Sequence, residues 1–197
     1  LYVLHVLERT VVETNTALTA YVQKSVDTRL EELHRYSTTI EITHANTLLK
    51  NLRELPGTLP AQAYQLSVTL RDFLVTNKLA RGVYLYYPRT GLVVGNMGCF
   101  EAASYYALQG VPQREGYDAW LAELTKSHDT RFMLLQMPKD ERLCYVREMR
   151  MTGEIAAVVV IEIDREELLR AFDAAGLPGD SATGVLLDGQ LVAATGN

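Results

Sequence analysis

Gly82-Val-Tyr-Leu-Tyr-Tyr-Pro-Arg-Thr-Gly-Leu-Val-Val-Gly-Asn96 reads as a strand, a turn and a second strand. Val83 to Tyr87 is almost wholly apolar or aromatic, Pro88 and Gly91 punctuate the reversal, and Leu92-Val-Val resumes the extended pattern. Beyond a helical middle come three more strand-like runs, Phe132–Met137, Leu143–Met149 and Ile155–Ile163. Pro138-Lys-Asp-Glu141 and Met151-Thr-Gly153 mark the turns between them. Two strands, helices and three strands predict an α+β protein on an antiparallel five-stranded sheet. Val83–Tyr87 and Ile155–Ile163 are continuously apolar, which predicts cover on both sheet faces.

The cover is legible on either side of this stretch. Residues 1 to about 54 read as one long helix. Its apolar positions are Leu4, Leu7, Val11, Leu18, Val22, Val26, Leu33, Tyr36 and Ile40, in steps near three and four. No Gly or Pro interrupts it before Pro56-Gly57. Such a helix is on the order of 75 Å long, more than a small domain is wide. It therefore overhangs the sheet as a stalk or as a seam between two copies. Thr14, Asn15 and Ser25 interrupt the apolar stripe, so it is not a strict coiled coil. A reversal at Leu55–Pro60 leads into a return helix to about Asn77, with Tyr64, Leu66, Leu70, Phe73 and Leu74 on its apolar side. The insertion Met97–Arg131 puts Tyr117, Trp120, Leu121 and Leu124 on one helical face and adds Tyr105 and Tyr106.

After the sheet, Asp164 caps a helix from Arg165 to about Ala175, with Glu167 three residues on, and Gly176-Leu-Pro-Gly179 ends it. Asp188-Gly189 between two apolar runs signals a last hairpin. The expected organisation is a helical stalk and return helix over 1–80 and a lobe over 81–164. A connecting helix and loop occupy 165–180, and 181–197 begins a second, truncated lobe.

Composition narrows the function. At 48% apolar and 22% charged, the 197-residue chain is that of a globular protein able to bury a real core. A net charge of −5 and scattered Lys and Arg argue against a nucleic-acid partner. Cys99 and Cys144 are too few for a disulfide framework. They form one bridge in an oxidising compartment or stand as two partly buried thiols, the reading that cysteine's usual burial favours. No apolar run has the length of a membrane span. The chain lacks an initiator Met and begins abruptly at Leu1, so it reads as an excised fragment with a signal or anchor upstream.

Catalytic and metal signatures are missing. His5, His34, His44 and His128 lack metal-ligand spacing, and the three on the long helix read as solvated. There is no nucleophile elbow, and Gly95-Asn-Met-Gly98 lacks the Lys of a phosphate loop. Neither an enzyme nor a cofactor is expected. The binding candidates are aromatic: Tyr106, Tyr117 and Trp120 on the insertion, facing Tyr84 or Tyr86 and Tyr145 on the sheet. The plainer reading is that these rings fill the core. Arg147 shares a strand face with Tyr145 and is placed to hold a carboxylate or phosphate if that face looks into the pocket. Otherwise it pairs with Glu162 or Glu148 near solvent.

The element order is that of a PAS-like sheet. Together, the long N-terminal helix, the stretch Gly82–Asn96 and the insertion Tyr117-Asp-Ala-Trp-Leu-Ala-Glu-Leu124 resemble the double Cache sensor domains of bacterial membrane receptors. The likeness is strongest to those of AraC-type regulators and histidine kinases. It implies an extracytoplasmic module anchored through flanking segments, with a small-molecule ligand in the lobe that shifts the long helix. The amino-acid-binding members carry an Arg, a Trp-Tyr pair and a later Tyr and Asp. Here Leu121 follows Trp120, so the resemblance does not extend to amino-acid recognition. Two other readings stay open: a structural or dimerisation module whose lobe is filled by its own side chains, and an intracellular PAS-like module.

Overall fold

The computed structural model describes residues 2–54, 61–111, 114–126, 130–173, 183–187 and 190–195. Helix α1 (Tyr2–Glu41) ends well before residue 54, and a short helix α2 (His44–Lys50) follows. The break needs no Gly or Pro. Thr43 takes extended backbone (φ −64°, ψ 142°), and its hydroxyl accepts from the Asn46 N–H to start α2. The Asn46 carboxamide donates to Ile40 O at 3.1 Å and Glu41 O at 3.3 Å, two carbonyls that the end of α1 leaves open. Helix α3 (Ala61–Thr76) is the return helix. The reversal expected at Leu55–Pro60 lies outside the described residues, as does Gly176–Gly179.

The sheet has six strands rather than five. They are β1 (Ala80–Tyr87), β2 (Leu92–Gly95), β3 (Gly98–Glu101), β4 (Thr130–Gln136), β5 (Glu141–Met151) and β6 (Glu154–Ile163). They lie in the order β3-β2-β1-β6-β5-β4, with every pair antiparallel. The additional strand is β3, which the sequence reading assigned to the helical insertion. Gly98, at φ 129°, makes the reversal with a backbone that L side chains rarely adopt. Phe100 then pairs with Val93 and Cys99 with Val94. Four residues are too short a run for period-two alternation to register. Between β5 and β6, Thr152 and Gly153 both have positive φ (51° and 88°), as a two-residue hairpin of the favoured hand requires.

Two compact units divide the chain, residues 33–164 and residues 1–32 with 165–197. In the first, α2, α3 and the last residues of α1 cover one sheet face. Helices α4 (Ala102–Leu108) and α5 (Arg114–Thr125) cover the other. Double cover explains why six successive residues of β1 and eight of β6 are buried. In the second unit, α6 (Arg165–Asp173) rests on β8 (Gln190–Thr195), which pairs with β7 (Thr183–Leu187) through Val185 opposite Ala193. That hairpin follows the expected strands; the turn itself, Asp188-Gly189, lies outside the described residues.

Candidate ligand-binding site

Alternation along each strand decides which side chains meet. Tyr84 and Tyr86 of β1 point toward α4 and α5, and Tyr87 points away from them toward α2. Trp120 of α5, only 2% exposed, sits at the centre of an aromatic group. Its ring centroid is 5.4 Å from Tyr106, 5.9 Å from Tyr117, 6.3 Å from Tyr86 and Tyr105, and 6.4 Å from Tyr84. The tilted arrangements suit ring quadrupoles. The indole N–H donates to Tyr84 Oη at 3.3 Å. Val93, Leu124, Leu135, Cys144, Val146 and Val158 close the interior around these rings.

Beside the rings a pocket of about 250 Å³ opens. Tyr86 and Tyr117 form one wall, Thr90 and Gly91 of the β1–β2 turn another, and Glu101, Ala102 and Ala103 at the start of α4 a third. Ala102 N–H donates to Gly91 O at 2.8 Å, which holds α4 against the turn. Tyr86 is 5% exposed, yet among the described residues its hydroxyl has no hydrogen-bond partner, nor has that of Tyr117. No ion-pair partner for the Glu101 carboxylate occurs among the described residues either.

Of the residues singled out from the sequence, Tyr86, Tyr106, Tyr117 and Trp120 come together. Tyr145 and Arg147 do not join them. Cys144 and Val146 face the aromatic group, so the alternate residues of β5 face α1. Tyr145 Oη meets His34 Nδ1 at 2.9 Å and Ser37 Oγ at 3.2 Å. His34, expected to be solvated, is exposed at its outer edge but bonded at this nitrogen. Arg147 donates to Glu41 Oε2 at 2.6 Å and to Ser37 Oγ at 3.4 Å. The two carboxylates expected as its partners bond other arginines: Glu162 with Arg142 at 2.7 Å, Glu148 with Arg150 at 2.9 Å. Arg142 also reaches Gln109 Oε1 and Asp140 Oδ1, both at 3.0 Å, at the far end of the insertion face. Gly82 leaves that pair its room, since a Cβ there would lie 2.8 Å from Glu162 Oε2.

The pocket residues Thr90, Glu101, Ala102 and Ala103 escaped the sequence reading. Glu101 was hidden because β3 was hidden; Gly98 followed by Cys-Phe was the available signal. Cys99 and Cys144 are separate thiols. By strand alternation they lie on opposite sheet faces. Among the described residues no group of His, Cys, Asp and Glu is placed to hold a metal ion, and no helix is long and apolar enough to cross a membrane.

Burial raises the hydroxyl pKa of Tyr84, Tyr87 and Tyr105 well above the ordinary tyrosine value. An acid kept neutral in the folded state and free to ionise when unfolded stabilises fully below its unfolded pKa. That contribution falls as pH rises past about 10. The melting temperature is therefore expected to drop steadily across pH 10 to 11. The Tyr84→Phe variant, which lacks one such group, should show a shallower slope in the same titration.

No family model matches the chain, and neither does any curated protein. Solved structures do match. The sensor domain of the Vibrio cholerae histidine kinase DctB shares 15% identity over 96% of this chain and 67% of its own, with a TM-score of 0.53. A domain from Vibrio parahaemolyticus, described as belonging to the sensory box/GGDEF family, shares 11% over 81% and 63%, with a TM-score of 0.52. The extracellular domain of vpHK1S-Z8, described as a histidine kinase, shares 11% over 81% and 60%, with a TM-score of 0.51. The chain thus spans about two thirds of the length of these domains. At such identities the likeness shows the fold alone, a long N-terminal helix and an antiparallel sheet of PAS-like element order. None of the three is described as an AraC-type regulator.

Proposed function

We propose that the chain is an extracytoplasmic ligand-sensing domain of a membrane signalling receptor, working by binding and not by catalysis. One observation carries this reading. A pocket with unpartnered polar groups opens on one sheet face, while the end of α1 is bonded to the other. Tyr86 looks into the pocket. Its neighbour in β1, Tyr87, donates from the opposite face to Asn46 Oδ1 at 2.9 Å, and Asn46 closes the end of α1. A ligand that favours one setting of β1 thereby biases the helix, by no more than its differential affinity for the two settings. The fold shared with the DctB sensor domain supports the reading.

The test is a thermal-unfolding screen of the chain against amines, organic acids, amino acids, sugars and nucleosides. A ligand at a hundred times its dissociation constant adds about 2.7 kcal/mol, a rise on the order of 5–10 °C for a chain of this size. A panel without effect would sink the reading. It would leave a second one, a structural or dimerisation module, favoured by the rings that fill the lobe around Trp120. That module would show itself as dimer formation in sedimentation with no ligand present.

A further inference from the structure

We propose that His34, Ser37 and Glu41 of α1 form a latch with Tyr145 and Arg147 of β5, in which His34 donates from Nδ1, and that this latch holds α1 at a single axial setting. The latch goes beyond the sensing reading and stands with or without a ligand. Positions 34, 37 and 41 lie at i, i+3 and i+7, on one face of α1. That face meets the side of β5 that carries Tyr145 and Arg147. His34 Nδ1 lies 2.9 Å from Tyr145 Oη, Tyr145 Oη 3.2 Å from Ser37 Oγ, and Ser37 Oγ 2.7 Å from His34 O. Arg147 reaches Ser37 Oγ at 3.4 Å and Glu41 Oε2 at 2.6 Å.

One arrangement of protons serves every contact. A carbonyl only accepts, so the single Ser37 hydroxyl proton goes to His34 O. Toward Tyr145, Ser37 Oγ is then an acceptor, which takes up the phenol's single proton. Burial raises the Tyr145 hydroxyl pKa against the opposing pull of Ser37, Arg147 and Thr130, so that proton is present at neutral pH. His34 Nδ1 therefore has to donate to Tyr145 Oη. The opposite tautomer would turn the phenol proton toward His34. It would leave the Tyr145 and Ser37 oxygens lone pair to lone pair at 3.2 Å, with Ser37 fully buried from water. The circuit thus closes from the His34 ring through Tyr145 and Ser37 to the His34 carbonyl, and each bond polarises the next. It also fixes the axial position of the helix. A slide of α1 by one turn would bring Leu33 to the place of Ser37 and Ser37 to the place of Glu41. Arg147, its side chain only 17% exposed, would then lose its carboxylate, the most destabilising way to break an ion pair.

The test reads the His34 ring by long-range 1H–15N correlation in the 197-residue chain at about pH 8.5, well above the ordinary histidine value. The His34 signals are identified by their loss in His34→Asn. The unaltered chain is expected to show Nδ1 protonated and Nε2 bare. Tyr145→Phe is expected to erase that signature and to lower the melting temperature by about 2–4 °C. It should also speed amide exchange in residues 33–38 and in β5 while α2 keeps its protection. His34→Asn carries an N–H close to the place of Nδ1 and is expected to retain most of the melting temperature and the slow exchange. His34→Gln, with its N–H nearer the place of Nε2, is expected to lose as much as Tyr145→Phe. A proton on Nε2 and none on Nδ1 in the unaltered chain overturns the proposal, and that measurement needs no variant to fold. Unchanged exchange over residues 33–38 in Tyr145→Phe overturns the latch, as does a His34→Gln variant more stable than His34→Asn.

Discussion

Trp120→Ala lowers the unfolding free energy of the 33–164 unit by about 3–5 kcal/mol, the range for emptying a large buried aromatic site. The melting temperature falls by roughly 10 °C or more. The reason is the ring's position. Five tyrosines surround it at centroid distances of 5.4–6.4 Å, and all of them belong to β1, α4 or α5. Removing the indole opens a cavity that rings on a sheet and on two helices cannot all move to fill. Tyr84 Oη also loses its indole N–H donor. Trp120→Phe restores most of the volume and should recover more than half of the loss, which separates packing from the hydrogen bond. Urea unfolding followed by circular dichroism measures both variants. A loss below about 1 kcal/mol for the alanine variant would show that the group is not the centre of this core. In the unaltered protein Trp120 is the sole tryptophan, so its emission reports on this site alone.

Asn46→Leu costs about 2–4 kcal/mol although it puts an apolar side chain of similar size into a buried site. Asn46 is fully buried and bonds in four directions. Its carboxamide nitrogen donates to Ile40 O, to Glu41 O and to Met149 Sδ at 3.3 Å, and its oxygen accepts from Tyr87. Leucine leaves the Tyr87 hydroxyl without a partner among the described residues, a loss of about 1–3 kcal/mol. It also takes one donor from each helix-end carbonyl, Ile40 O keeping Thr43 and Glu41 O keeping Lys50. Thr43→Ala, which removes only the cap of α2, is the comparison and should cost about 1 kcal/mol. Amide exchange separates the two further. Asn46→Leu should expose the amides of residues 38–46 and those of β1 around Tyr87, whereas Thr43→Ala should affect α2 alone. Equal losses and equal exchange patterns would reduce Asn46 to a helix cap and remove the link between β1 and α1.

These two residues show what was legible. Trp120 stood out because it is a large aromatic in phase with Tyr117, Leu121 and Leu124 on a helical face. Tyr84 and Tyr86 stood out as alternative ring partners on the sheet, two aromatics in one continuous apolar strand run. Asn46 did not stand out. A polar residue inside an apparent helix, which the sequence reading ran to about residue 54, reads as a solvated position. Burial of its carboxamide depends on Tyr87 and Met149, which lie 41 and 103 residues away in the chain. Glu101 was missed for a related reason: it ends a four-residue strand that exists only because β2 offers it a free edge.

Residue pattern alone specified the long helix, the strand runs Val83–Tyr87, Leu143–Met149 and Ile155–Ile163, and the double cover of the sheet. Those follow from period and continuity, which are local properties of the chain. Which face of β5 looks at the aromatic group was a matter for the packed structure, because a strand's two faces are equivalent until something packs on one of them. Tyr145 and Arg147 thus went to α1 and its Ser37 and Glu41, while Cys144 and Val146 went to the rings. The same packing filled the centre of the lobe with Trp120. It left an opening beside the core, where the β1–β2 turn, the end of β3 and Tyr117 meet.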